Sequence, residues 1–162
     1  MRRVKLTQGY YALVDDEDYQ RVLAAGPWHA HVHKNSVYAA HTGPRIRQKQ
    51  KVLQLHTLIL NVHHSIRVDH KDGDGLNNQK ENLRVATRAQ NAANQRLRSD
   101  STSKYKGVYE KKIGKNRKRW KAYIRVQGKH VHLGCFATAK QAALAYDAAA
   151  VVMFGEFAYT NF

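Results

Sequence analysis

Cysteine is almost missing from this chain: Cys135 is the single example in 162 residues. No intramolecular disulfide can form and no cysteine-based zinc site can be built, which suits an intracellular protein. Long apolar runs are missing as well. None reaches the roughly 20 residues that a bilayer-spanning helix needs, so no membrane partner is expected. The N-terminal stretch MRRVKLTQGYYALVDD carries charge but no apolar h-region, and no secretory signal is read there. Acidic residues are scarce: 12 Asp and Glu stand against 28 Lys and Arg, for a net charge of +16. Apolar residues are not scarce. At 43% they are ordinary for a soluble protein, and a packed core can form.

The excess charge is uneven. Residues 1–103 carry 16 basic and 9 acidic side chains, a net of +7; residues 104–162 carry 12 and 3, a net of +9 in a shorter segment. A compact basic domain gains affinity for a polyanion because neutralised phosphates release condensed counterions. The bland alternative is a solvated basic surface. An anionic membrane fits less well, since no basic amphipathic helix with a large apolar face stands out.

The stretch Gln95–Ser103, QRLRSDSTS, is polar and reads as a linker. The chain is therefore divided into 1–95 and 104–162, with 96–103 between. In the first part, residues 10–14 (YYALV) read as a strand. Asp15–Ala25 reads as a short helix with acids in its first turn, ended by Gly26-Pro27. WHAHVH (28–33) and SVYAAH (36–41) read as paired strands joined through Lys34-Asn35. KVLQLHTLIL (51–60) begins as a strand and runs into a short helix. His29, His31 and His33 share one strand face, but no acid accompanies them, so a solvated polar face is favoured over a metal site.

In the second part, WKAYIRVQ alternates: Trp120, Ala122, Ile124 and Val126 share one face, and Lys121, Tyr123, Arg125 and Gln127 the other. Beyond Gly128, Val131 and Leu133 continue the apolar face, and His130 and His132 the polar one. YKGVYEKK supplies a third strand with Lys106, Tyr109 and Lys111, and Gly107 is a candidate bulge. Thr138 to Gln141 forms a capping box and opens a helix, AKQAALAYDAAAVVMF, apolar almost all round and so expected to be largely covered. Three antiparallel strands with this helix across their apolar face is the simplest arrangement. Val108, Trp120, Ile124, Leu133, Phe136 and Tyr146 are then core. The opposite face, basic with interleaved aromatics, suits a nucleic-acid groove.

The stretch VDHKDGDGLNNQKENLRV, residues 68–85, carries the chemistry. A strand ends at Asp69-His70, KDGDG is a loop, ENLRVA returns as a strand, and a Thr87–Gln90 capping box opens a helix bearing Asn91. If that helix folds back, Asp69, His70, Asn82 and Asn91 can converge. Asp69 and Asn91 offer oxygen ligands to a hard cation such as Mg²⁺. His70 can take a proton from an attacking water, and Asn82 can orient the region around it. These are the roles that phosphodiester hydrolysis needs. An EF-hand register from His70 places Asp72, Asp74, Gly75 and Glu81 well, but position 1 is His70, position 8 is Asn77, and the flanks are strand-like. A polar turn without chemistry is the other rival.

Residues from about LHTLIL through NAANQ resemble the HNH endonucleases, particularly the phage and intron homing type with a ββα-metal site. VDHKDGDGLNNQKENLRVATRAQN carries the resemblance, with His70, Asn82 and Asn91 as its H, N and N. It implies Asp69 and Asn91 as metal ligands, His70 as general base, Asn82 as a brace for the loop, and a supporting role for His56. From about Ser103 to Phe162, YKGVY, WKAYIRV, HLGCF, AALAYDAAA and FGEFAYTNF resemble the plant ethylene-response-factor DNA-binding domain, whose sheet enters the major groove. That resemblance implies DNA contacts from Lys106, Tyr109, Lys111, Tyr123, Arg125, His130 and His132; Lys121 shares their face. The plant domains often have Arg at the positions of Tyr109 and His130, Glu at Tyr123 and Trp at His132. A guanine-rich target is therefore not inherited.

The expected fold is α+β: an N-terminal HNH ββα-metal domain preceded by a small β-rich region, then a three-stranded antiparallel sheet on one helix. The expected function is a DNA endonuclease that hydrolyses phosphodiester bonds with a divalent metal, Mg²⁺ or alternatively Mn²⁺, acting on double-stranded DNA. Arg2, Arg3, Arg45, Arg47, Lys49 and Lys51 are candidates for added phosphate contacts. One site per chain implies nicking by a monomer or double-strand cutting by a dimer. The expected setting is the cytoplasm of a bacterial or phage-infected cell. A catalytically inactive, sequence-specific DNA-binding regulator is the alternative, and an RNA-binding protein fits the charge but not the groove-reading sheet.

Overall fold

The computed structural model describes residues 1–34, 36–46, 49–97, 101–113 and 117–162. Asn35, the side chains of Arg45, Arg47 and Lys49, and residues 98–100 of the expected linker lie outside them. The chain divides into two units, Met1–Ala86 and Thr87–Phe162. The division falls before the polar stretch where the sequence reading drew its boundary, and it assigns the helix after Thr87 to the second unit.

The first unit starts with a hairpin of β1 (Arg2–Lys5) and β2 (Tyr11–Val14), paired from Arg2 opposite Val14 to Lys5 opposite Tyr11. Val4, Ala12 and Val14 turn inward, while Tyr11 stays exposed. The next helix, α1, is shorter than the sequence implied and runs Tyr19–Ala24. The acids before it are used elsewhere. Asp16 pairs with Arg2 and the N-terminal amine, and Asp15 accepts from the Lys80 amide at 2.8 Å. These partners reach across the fold, which is why the acids do not occupy the first helical turn.

A three-stranded antiparallel sheet follows, with β4 (Ser36–Ile46) between β3 (His29–His33) and β5 (Lys49–Gln54). Helix α2 (Leu55–Ile59) continues directly from β5, so the strand-to-helix switch falls within the segment expected to contain it. The short hairpin of β6 (Val68–His70) and β7 (Leu83–Val85) completes the unit, with Asp69 opposite Arg84 and His70 opposite Leu83. One core joins these elements: Val14, Val22, Trp28, Leu55, Ile59, Val68 and Leu83 are all buried in it.

The second unit opens with α3 (Arg88–Ala93), whose capping box from Thr87 and Gln90 is complete in both directions. β8 (Val108–Ile113), β9 (Arg117–Val126) and β10 (Lys129–Phe136) form an antiparallel sheet with β9 central. Helix α4 (Ala139–Phe154), capped by Thr138 and Gln141, packs across it. Ala142, Ala143, Tyr146 and Ala150 meet Val108, Ala122 and Ile124, and small alanines permit the close approach. Only one face of α4 is covered: Leu144, Val151 and Val152 are exposed, the last at 80%. A register shift falls between His132 and Gly134, not at Gly107. Gly107 has another reason to be glycine. Its φ is +73°, and a Cβ there would lie 2.0 Å from the Tyr146 ring.

Candidate functional site

The loop between β6 and β7 is built from its own side chains. Asp72 Oδ1 accepts from the Asp74 amide at 2.8 Å, Asp72 Oδ2 accepts from Asn77 Nδ2 at 2.8 Å, and Asp74 Oδ1 accepts from the Leu76 amide at 3.0 Å. Asn82 spans this loop. Its Oδ1 accepts from the Asp72 amide at 3.1 Å, and its Nδ2 donates to Asp72 Oδ1 at 3.0 Å and to the Asn77 carbonyl at 2.8 Å. Burial pushes the Asp72 carboxyl up, but the donors from Asp74, Asn77 and Asn82 outweigh it and hold it below the usual carboxylate range. Asp72 and Asp74, two of the acids that an EF-hand would present to calcium, are thus engaged in holding the turn.

The N-terminal hairpin buttresses the same loop. The Leu13 amide donates to the Leu76 carbonyl, and the Asn78 amide donates to the Leu13 carbonyl, both at 2.8 Å. Asn78 is completely buried, and the sequence reading gave it no role. Its Nδ2 faces the Gly75 carbonyl at 3.4 Å and its Oδ1 faces His70 Nε2 at 3.4 Å, long for a hydrogen bond. In the tautomer that donates from His70 Nε2 to Asn78 Oδ1, the acceptor lone pair lies on Nδ1. In the sequence Asn78 is marked by the paired amides Asn77-Asn78 that follow the acidic KDGDG stretch.

His70 is 5% exposed. Burial holds its pKa below the ordinary histidine value, against the opposing pull of Asn78, Asp72, Asp69 and Asp74. The imidazole is therefore neutral at pH 7 and able to accept a proton. His56 from α2 stands edge-on to it, with ring centroids 5.3 Å apart, and Tyr38 from β4 lies 5.8 Å from His70 and 6.1 Å from His56. Burial, with the His70 charge second, brings His56 down to about 4.

Asp69 is buried beside His70 in sequence, and its Oδ2 accepts from Arg84 Nε and Nη2, each at 2.8 Å. Asn91 stands half-buried on α3, within the second unit. Among the described residues no cluster of three or more His, Cys, Asp or Glu side chains is arranged to hold a metal. By donor chemistry alone, the Asp69 carboxylate in the first unit and the Asn91 carboxamide oxygen in the second are each of the type that a hard cation takes. His31 and His33 stack at 4.4 Å on an exposed strand face, and His29 meets the Thr42 hydroxyl.

In the second unit, the outward sheet face gathers around Tyr123. Its ring centroid lies 5.9 Å from Tyr109, 5.0 Å from His132 and 6.5 Å from His130, and Lys121 Nζ approaches its hydroxyl at 3.5 Å. Arg125 stands opposite His130, and Lys111 opposite Arg119, an exposed cation of the same face that the sequence reading passed over. Cys135 also joins this face, 3.6 Å from His132 Nε2. Lys106 is placed apart. Its ammonium donates to the Ala93 carbonyl and lies 5.3 Å from the Tyr159 ring centroid. Burial lowers its pKa to about 8, with Asp147 opposing. Asp147 itself accepts from Asn161, whose Oδ1 takes the Lys106 amide at 2.6 Å.

The sequence pattern of the HNH endonucleases matches residues 29–93, which contain this hairpin and loop. An uncharacterized HNH endonuclease of Acanthamoeba polyphaga mimivirus is 37% identical over 136 residues, covering 80% of this chain and 68% of that protein. The chain belongs to the HNH endonuclease family. Two plant relatives are ethylene-responsive transcription factors. One, from Arabidopsis thaliana, is 35% identical over 100 residues, covering 59% of this chain and 58% of the factor. The other, from Medicago truncatula, is 35% identical over 89 residues, covering 54% and 32% respectively. They fit the resemblance of the C-terminal sheet and helix to the plant domain. Around the HNH segment, no helix among the described residues is long and apolar enough to cross a membrane.

Proposed function

We propose that the chain is a metal-dependent DNA endonuclease of the HNH family whose C-terminal sheet engages duplex DNA. The observation that carries this reading is His70, buried, neutral, and oriented through Nε2 by Asn78, beside Asp69 and under a loop braced by Asn82. In this reading His70 Nδ1 takes the proton of a water as its oxygen attacks phosphorus and the bond to the leaving oxygen breaks. Asp69 and Asn91 would hold a divalent ion, which when bound supplies Lewis-acid stabilisation of charge on the phosphate and leaving oxygen. Asn82 keeps the loop, and with it Asn78, in register with His70. The cationic and aromatic sheet face of Tyr109, Lys111, Lys121, Tyr123, Arg125, His130 and His132 supplies the DNA contacts, with Lys106 supporting the start of β8.

Conversion of supercoiled DNA, with Mg²⁺ and with EDTA, tests this. Wild type nicks or linearises the plasmid only with metal, and His70→Ala does not. A wild-type chain that binds DNA but never cuts it, across several metals and target-bearing DNAs, returns the protein to a DNA-binding regulator.

A further inference from the structure

Asp69 and Arg84 are direct cross-strand partners in the two-stranded β6–β7 hairpin. Their side chains are only 5% and 10% exposed. The guanidinium places both Nε and Nη2 on the same oxygen, Oδ2, at 2.8 Å. Both of these contacts fall on Oδ2, one of the two oxygens over which a carboxylate spreads about four acceptor positions. The guanidinium sets a fixed positive charge against the carboxylate. Removing one partner of such a pair leaves a buried charge uncompensated and is destabilising.

We propose that Arg84 is the resident counter-ion of Asp69 and sets the affinity of this site for a divalent cation. The inference rests on the reading of Asp69 as a metal ligand. Arg84 orients the carboxylate and balances its charge. When a divalent ion binds, it shares the carboxylate with a guanidinium that stays in place, so binding is weaker than a bare buried carboxylate would give. Arg84 is thus a positioning residue for the ligand and restrains tight capture of metal before DNA arrives.

The test uses the full chain without DNA and Mn²⁺ as probe, with affinity read by electron paramagnetic resonance and thermal unfolding run in parallel. Wild type, Arg84→Gln, Arg84→Lys and Asp69→Asn are compared. Metal binding present in wild type and lost in Asp69→Asn supports the ligand reading; binding unchanged in Asp69→Asn overturns that reading and this inference with it. Given Asp69-dependent binding, Arg84→Gln is expected to bind Mn²⁺ about tenfold tighter, because a repelling unit charge has gone. It is also expected to unfold at a lower temperature without metal and to gain more from adding it. Equal or weaker Mn²⁺ binding in Arg84→Gln overturns the proposal while leaving the Asp69 reading intact. Arg84→Lys keeps the repelling unit charge and so stays within about threefold of wild type in Mn²⁺ affinity. Should Arg84→Gln not fold, a tenfold change in Arg84→Lys overturns the proposal, and a value near wild type sustains it.

Discussion

Gly75 links the site loop to the sheet beside it, and replacing it with alanine tests how tightly that junction is built. The glycine is buried and its φ is ordinary, so backbone strain is not the issue. Space is. A Cβ at this position would lie 2.4 Å from the Val37 carbonyl oxygen and 2.6 Å from two atoms of the Tyr38 ring. Val37 belongs to β4, where it pairs with Val32 of β3, and cannot retreat without disturbing that pairing. The loop must therefore yield until 2.4 Å becomes at least 3.0 Å. That loop carries Asn78, which orients His70, and Tyr38 lies against the His70 ring. Overpacking of this kind costs about 2 kcal/mol. In a unit spanning Met1–Ala86 this lowers the melting temperature by about 8–16 °C. Displacement of the base by a fraction of an ångström reduces plasmid nicking by about 100-fold at temperatures where the variant is folded. Gly43→Ala is the control: the nearest atom to its Cβ would be 3.7 Å away, and its stability should stay within about 0.5 kcal/mol of wild type. A Gly75→Ala protein that melts within about 2 °C of wild type and nicks at the wild-type rate refutes the packing argument.

Two further expectations concern pH and DNA. His56 has a folded pKa of about 4 against 6.5 when unconstrained, so the unfolded chain takes up the proton first as pH falls. Its contribution is complete above pH 6.5 and is lost between there and pH 4, up to about 3 kcal/mol. Urea unfolding at pH 7, 5.5 and 4.5 should show a shallower loss for His56→Gln than for wild type, and parallel curves contradict the assignment. On the sheet face, Tyr123→Ala should weaken duplex binding by about tenfold with an unchanged salt slope, since the ring contributes packing and not charge. Arg125→Ala should flatten that slope by about one unit by removing a phosphate or base contact. Titrations at two salt concentrations separate these outcomes, and an unaltered affinity in both variants removes the sheet from the DNA interface.

What could be read directly from the residues was local. The alternation of β9 and β10, the hairpin from His29 to His41, the strand-to-helix switch after Gln54 and both capping boxes depend on neighbours a few positions apart. Their periods and cap residues are enough to specify them. The α+β arrangement, with a helix across a three-stranded sheet, followed from where the apolar residues fell. Other features depend on partners far along the chain. Asp15 and Asp16 left the first turn of α1 because Lys80 and Arg2 reach them. Lys106 turned to the Ala93 carbonyl, with its backbone held by Asn161, which Asp147 holds in turn. The loop sequence offered two adjacent asparagines with equal claims. Only tertiary packing set Asn78 between Leu13 and His70, and only the strand register laid Arg84 across Asp69. Residue types and spacing determine which chemistry is available. Which side chain is buried, neutral or paired is decided by contacts between segments, because desolvation and hydrogen bonding exist only once those segments meet.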